Sequence, residues 1–149
     1  LYQASGTNLV DMKTFLPRLC ASLAENRPPC VRDVTVTADA LTFDSKRAMK
    51  VGLLVTELVT NAFKHAYPGD RHGDICVRLT GDGNTAVLTI SDDGVGPPPA
   101  LLTAESKGLG MRLIRSVLGQ FGGTIDLGPG PGATFVIGLS DTRPRSGGG

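Results

Sequence analysis

The stretch VGLLVTELVTNAFKHAY, residues 51–67, constrains this chain more than any other. It reads as a helix that is apolar over most of its circumference. Leu54, Val55, Leu58, Val59, Ala62, Phe63 and Ala66 supply a wide apolar face. A narrow polar seam interrupts it. Glu57 and Asn61 stand four apart, and Lys64 and His65 follow at three and four. On a helix these spacings put all four side chains on one stripe. Burying a carboxylate and a carboxamide without partners costs free energy. The seam therefore either meets water or faces something that needs oxygen ligands and a cation.

The rest of the chain supplies a sheet for this helix. Residues 8–26 carry apolar residues at 9, 12, 15, 16, 19, 20 and 23, the period of an amphipathic helix. Asp11 is a candidate N-cap, and Pro17 requires a late start or a kink. Residues 30–37 alternate as a strand, and 41–43 form a short extension after a turn. Asp44 or Ser45 caps the long helix, predicted at about 45–66, and Tyr67-Pro68-Gly69-Asp70 ends it. Runs 74–80 and 85–91 read as an antiparallel hairpin. A loop follows to Lys107, then a helix over 109–121 broken by Gly122-Gly123, then strands over 124–127 and 133–139. This order predicts an α+β fold: a two-layer sandwich of one mixed, mostly antiparallel sheet with helices on one face. Residues 1–140 are expected to form one domain, and 141–149 a disordered tail.

Composition removes several function classes. With 40% hydrophobic and 19% charged residues and a net charge of +1, no electrostatic case exists for a nucleic-acid or membrane-surface binder. The three cysteines, Cys20, Cys30 and Cys76, are widely spaced and form no CxxC, which suits free thiols in a reducing compartment. His65 and His72 are the only histidines, too few for an ordinary zinc site. No apolar run approaches the roughly 18 residues of a membrane span, and no signal peptide is evident. A cytoplasmic location is expected. The chain lacks an initiator Met and can be a fragment of a longer protein.

Three glycine turns mark places where backbone can approach a ligand: DDGVG at 92–96, KGLG at 107–110 and GPGAT at 130–134. KGLG precedes a predicted helix, whose free N-terminal amides favour phosphate. Two nucleotide schemes are excluded. A dinucleotide fingerprint needs glycine at 113, where Leu113 stands, and no GxxxxGK[ST] occurs. Singly, each feature has a plain structural use. Glu57 and Lys64 suit a solvated helix face, Asn61 a cap for a neighbouring loop, and Asp92 a turn after a strand.

Read together, the pieces resemble the histidine-kinase and GHKL ATPase superfamily. ELVTNAFKHAY at 57–67 resembles its N box, DDGVG its G1 box, GLGM at 108–111 its G2 box, and GATF at 132–135 its last glycine-threonine motif. Order and spacing match over most of residues 9–140. The TNAxKHA form is typical of a sister group to the HWE sensor kinases. The HWE group itself carries a Trp-x-Glu element, and this chain has no tryptophan.

The resemblance implies the Bergerat ATP-binding fold, with ATP and Mg²⁺ as cofactors. By motif, Asn61 would ligate Mg²⁺, and Glu57 would orient a metal-bound water or act as base. Lys64 would neutralise phosphate charge, and His65 would line the sugar or phosphate side. Asp92 would accept from the adenine amino group, beside Gly94 and Gly96. Lys107, Gly108, Leu109 and Gly110 would wrap the phosphates, and Thr134 would contact the base edge or its water. Glu57, Asn61 and Lys64 would be the catalytic group.

The lid at 97–107 is short and has no phenylalanine, so the F box of many kinases is missing. In the family the acceptor histidine lies on a helical hairpin before this domain. His65 belongs to the N box and His72 to a turn, so the acceptor is expected outside this chain, with residues 1–26 leading from that hairpin. The implied partners are ATP, the dimerisation and phosphoacceptor hairpin, and a response-regulator receiver domain. Direct membrane contact is not expected. The alternatives are an anti-sigma-type serine kinase, a hydrolysing ATPase, and a non-catalytic phosphotransfer adaptor.

Overall fold

The computed structural model describes residues 8–82, 85–95, 116, 119, 124–127 and 132–139, with backbone alone for 124–127. The predicted N-terminal helix is shorter than its apolar period. Leu9–Asp11 form a short strand, β1, and the helix α1 covers Met12–Ala24. The Asp11 carboxylate caps α1. It accepts from the Lys13 amide at 3.0 Å and from the Thr14 hydroxyl at 3.1 Å. Pro17 lies in the second turn, so only the Lys13 carbonyl loses its regular donor. The late start follows from pairing. β1 lies antiparallel to the short strand β3, Thr42–Asp44, with Val10 opposite Phe43. The 41–43 extension thus belongs to a separate two-stranded ribbon rather than to the main sheet.

The main sheet has five strands in the order β2-β4-β5-β7-β6. Their ranges are β2 Val31–Ala38, β4 Gly73–Gly81, β5 Ala86–Asp92, β6 Thr124–Leu127 and β7 Thr134–Gly138. β2 runs parallel to β4, and the other neighbours are antiparallel. The parallel pair requires a crossover, and α2, Ser45–His65, lies on it. This is the predicted mixed sheet. The predicted 74–80/85–91 hairpin is β4-β5, one residue longer at each end of β4 and shifted by one at β5. Ser116 and Gly119, within the predicted 109–121 helix, are helical; the rest of that segment and the 141–149 tail lie outside the described residues.

Strand alternation gives the sheet one buried face. Ile75, Val77 and Leu79 of β4, Leu88 and Ile90 of β5, and Phe135 and Ile137 of β7 are buried. Both helices cover this face. α2 contributes Val51, Leu54, Val55, Leu58 and Val59, and α1 contributes Met12, Leu16 and Cys20. Gly52 lets them close together, because its missing side chain is where the Phe15 and Leu19 side chains sit. Burying each leucine of this set contributes about 1.5–3 kcal/mol. Asp44 caps α2, accepting from the Arg47 amide at 2.7 Å, so its N-terminus is fixed. Arg47 also donates to the Leu139 carbonyl and lies over the Phe43 ring, which ties the end of the sheet to the start of α2.

Candidate functional site

The apolar side of α2 is spent on the core, and the seam lies on its other flank. Glu57 and Asn61 are half-buried, and Lys64 and His65 are exposed. Among the described residues, none of these four side chains has a hydrogen bond or an ion pair. Two polar groups partly withdrawn from water thus have no partner among the described residues.

The end of α2 is joined to the loop that follows β5. The last carbonyls of a helix have no partner inside it. Here the Ala66 carbonyl accepts from the Val95 amide at 3.0 Å. Gly94 is pressed against the Ala66 backbone, and a Cβ at 94 would overlap the Ala66 carbonyl. The Tyr67 ring is buried beneath this junction, with Gly73 packed on its face. Its hydroxyl lies 2.6 Å from Asp93 Oδ1 and 2.7 Å from the Asp74 carbonyl, and it accepts from the Asp93 amide at 3.2 Å. Burial, the largest cause, and the Asp93 carboxylate together hold the Tyr67 phenol well above its usual range, so it is a neutral donor at any physiological pH.

Asp92 closes β5 and continues the inward row of Leu88 and Ile90, facing the helix layer. Its Oδ1 accepts from the Gly94 amide at 2.9 Å and the Ala133 amide at 3.3 Å. Its own amide donates to the Ala133 carbonyl at 2.9 Å. Gly132 has to lack a side chain, since a Cβ there would overlap the Asp92 carbonyl. Burial raises the Asp92 carboxyl above its ordinary range; the two amides oppose this, and the neighbouring Asp93 charge adds to it. Oδ2 has no hydrogen-bond partner among the described residues.

This donor set fits a nucleotide better than a bare metal. Among the described residues no three His, Cys, Asp or Glu side chains form a metal cage. A single amide oxygen, as at Asn61, is enough for Mg²⁺, which keeps most of its water and takes few protein ligands. The open Asp92 Oδ2, on a carboxylate whose Oδ1 is held by two amides, is an acceptor for an amino group.

The structure brings Asp92 and Gly94 to the end of the helix that carries Glu57, Asn61, Lys64 and His65. It does not bring Thr134 to Asp92. Thr134 stands opposite Ser91, on the outward row, so it is the Ala133 amide that reaches the carboxylate. Gly96, Lys107, Gly108, Leu109 and Gly110 lie outside the described residues. Sequence reasoning missed Ala133 and Tyr67. The first acts through its backbone, which leaves no signal in residue type. The second read as the last residue of the N-box resemblance and as a helix stop before Pro68, with no role in the site.

Residues 47–143, well over half of the chain, match the family model of histidine kinase-, DNA gyrase B- and HSP90-like ATPases. The chain belongs to that ATPase family. The match covers the N box and every glycine turn named above. Blue-light-activated histidine kinase 2 of Erythrobacter litoralis is 26% identical over 129 residues, which is 86% of this chain and 37% of that protein. The anti-sigma F factor of Bacillus licheniformis is 30% identical over 98 residues, 59% of this chain and 66% of that one. Among solved structures, the histidine kinase domain of the Erythrobacter litoralis EL346 blue-light-activated kinase superposes with a TM-score of 0.81 at 25% identity, covering 95% of this chain and 66% of that domain. The chain thus spans little more than a third of the kinase it resembles.

Proposed function

We propose that this chain is the catalytic ATP-binding domain of a sensor histidine kinase. It binds Mg-ATP and presents the γ-phosphate to a histidine outside residues 1–149. The phosphoryl group then passes to an aspartate of a response-regulator receiver domain. One observation carries the reading: Glu57 and Asn61 are half-buried without partners among the described residues, on the helix whose end is joined to the Asp92 loop.

In this reading the Asn61 carboxamide oxygen is the protein ligand for magnesium, and Glu57 orients a water of its shell or serves as base. Magnesium, when bound, offsets phosphate charge. Lys64 adds a second cation, and His65 lines the sugar or phosphate side. Asp92 offers Oδ2 to the adenine amino group, which guanine lacks at that position. Gly94 and Gly96 keep the loop bare beside the base, and Lys107, Gly108, Leu109 and Gly110 wrap the phosphates. Thr134 is left with at most a water-mediated part. Catalysis rests on positioning and charge neutralisation, as in phosphoryl transfer generally.

The domain is taken as residues 1–140, with the segment ahead of α1 leading from a dimerisation and phosphoacceptor hairpin, and with 141–149 as a tail. A cytoplasmic setting follows from ATP as substrate. Among the described residues no helix is long and apolar enough to cross a membrane.

The similarity to the anti-sigma F factor favours a second reading, a serine kinase acting on a protein partner. Labelled ATP separates them when the full-length protein and its partner are present. A histidine kinase leaves acid-labile phosphohistidine, a serine kinase leaves acid-stable phosphate on the partner, and a plain ATPase releases free phosphate. Acid-stable label alone would refute the histidine-kinase reading.

A further inference from the structure

Asp92 and Asp93 are consecutive carboxylates at the mouth of the candidate site, yet they are held on different partners. Asp92 is held by the Gly94 and Ala133 amides. Asp93 is held by the Tyr67 hydroxyl, through both its carboxylate and its amide. Tyr67 is itself fixed, buried at 5% exposure with Gly73 against its ring and the Asp74 carbonyl within reach of its hydroxyl. It therefore anchors Asp93 from the sheet side. Two unrestrained carboxylates here would repel each other and any phosphate nearby, and each would compete for the same amino group.

We propose that the Tyr67 hydroxyl is a positioning group for nucleotide recognition. It draws the Asp93 carboxylate away and sets the 92–94 backbone, so that Asp92 alone meets the base. The proposal rests on the ATP-binding reading and adds to it a residue that touches no ligand. Because the tether joins the end of α2 to the loop, the base-recognising and metal-recognising groups are held in one frame before ATP arrives. A preformed site binds more tightly than one that must be ordered by its ligand.

The test compares ATP and GTP binding, with Mg²⁺, in the unaltered chain, Tyr67→Phe, and Tyr67→Phe with Asp93→Ala. Thermal unfolding establishes that each variant is folded. Tyr67→Phe should lower ATP affinity about tenfold and narrow the ATP-over-GTP preference, since GTP never used the positioned Asp92. Removing the freed carboxylate in the double variant should recover a large part of the lost ATP affinity. A purely structural tyrosine predicts equal losses for both nucleotides and no recovery, and either result overturns the proposal. If Tyr67→Phe does not fold, amide exchange in the unaltered chain carries the test. The Asp93 amide, which donates to the Tyr67 hydroxyl, should be protected before ATP is added. Fast exchange there that slows only with ATP would overturn it. Unchanged ATP affinity in a folded Tyr67→Phe sinks the Tyr67 role alone, whereas an unaltered chain that binds no ATP sinks this role and the ATP-binding reading together.

Discussion

The Asp92 carboxylate accepts from the Ala133 amide across 41 residues of sequence, at 3.3 Å. This bond joins the end of β5 to the start of β7 and fixes which oxygen of Asp92 stays open. It also holds a carboxylate that burial pushes toward its neutral form. An acid whose folded pKa is raised binds more protons folded than unfolded. Its contribution to stability therefore falls as pH rises from the ordinary carboxylate range through the raised value. Asp92→Asn keeps an acceptor for both amides and removes the charge. Its melting temperature should equal or exceed that of the unaltered chain at pH 7, and the advantage should vanish in acid. ATP affinity should fall in the same variant. Gain of stability with loss of function is the expected mark of a strained functional group. A less stable variant at pH 7 would argue that Asp92 is structural.

The contact of Gly94 with Ala66 makes a second prediction. A Cβ at 94 would meet backbone, which cannot move aside as a side chain can. Gly94→Ala should destabilise the fold by about 1–3 kcal/mol and weaken nucleotide binding. Gly119 is the control: it is helical, and nothing among the described residues lies within 4 Å of a Cβ there. Gly119→Ala should leave stability unchanged or raise it by about 0.5–1 kcal/mol. Chemical denaturation of the two variants reads both signs.

The cysteines should differ in reactivity. Cys20 is 1% exposed, and burial pushes its thiol up to about 11. The thiolate is the nucleophile, so Cys20 should resist iodoacetamide at pH 8 in the folded chain. Cys30 and Cys76 are half-buried and should be labelled first. Peptide mass spectrometry before and after unfolding gives the order. Early labelling of Cys20 would show that α1 detaches from the sheet.

Much of the architecture was legible because long periodic segments carry their own signal. The seam of α2 and the alternation of β4 and β5 are examples. What escaped was short or carried by backbone. β1 has three residues and is stabilised by pairing with β3, which read only as a short extension over 41–43, so β1 leaves no period to read. The parallel pairing of β2 with β4 is set by the crossover and not by any residue. Thr134 was singled out by its motif, but it stands opposite Ser91 on the outward row, and it is the Ala133 amide that reaches the Asp92 carboxylate. Tyr67 looked like punctuation before a proline. Its role emerges only when residues 67, 74 and 93 are brought together.

The most direct test of the account is a calorimetric titration of the 149-residue chain and its Asn61→Ala variant with ATP, with and without Mg²⁺. Asn61 is half-buried and unpartnered among the described residues, so the substitution should leave the melting temperature nearly unchanged. The unaltered chain should bind ATP more tightly with Mg²⁺ than without it. Asn61→Ala should lose most of that magnesium dependence, with about tenfold or greater loss of affinity, or ~1.4 kcal/mol. Equal Mg-ATP binding by both proteins, or none by the unaltered chain, would contradict the assignment of the α2 seam to magnesium and phosphate.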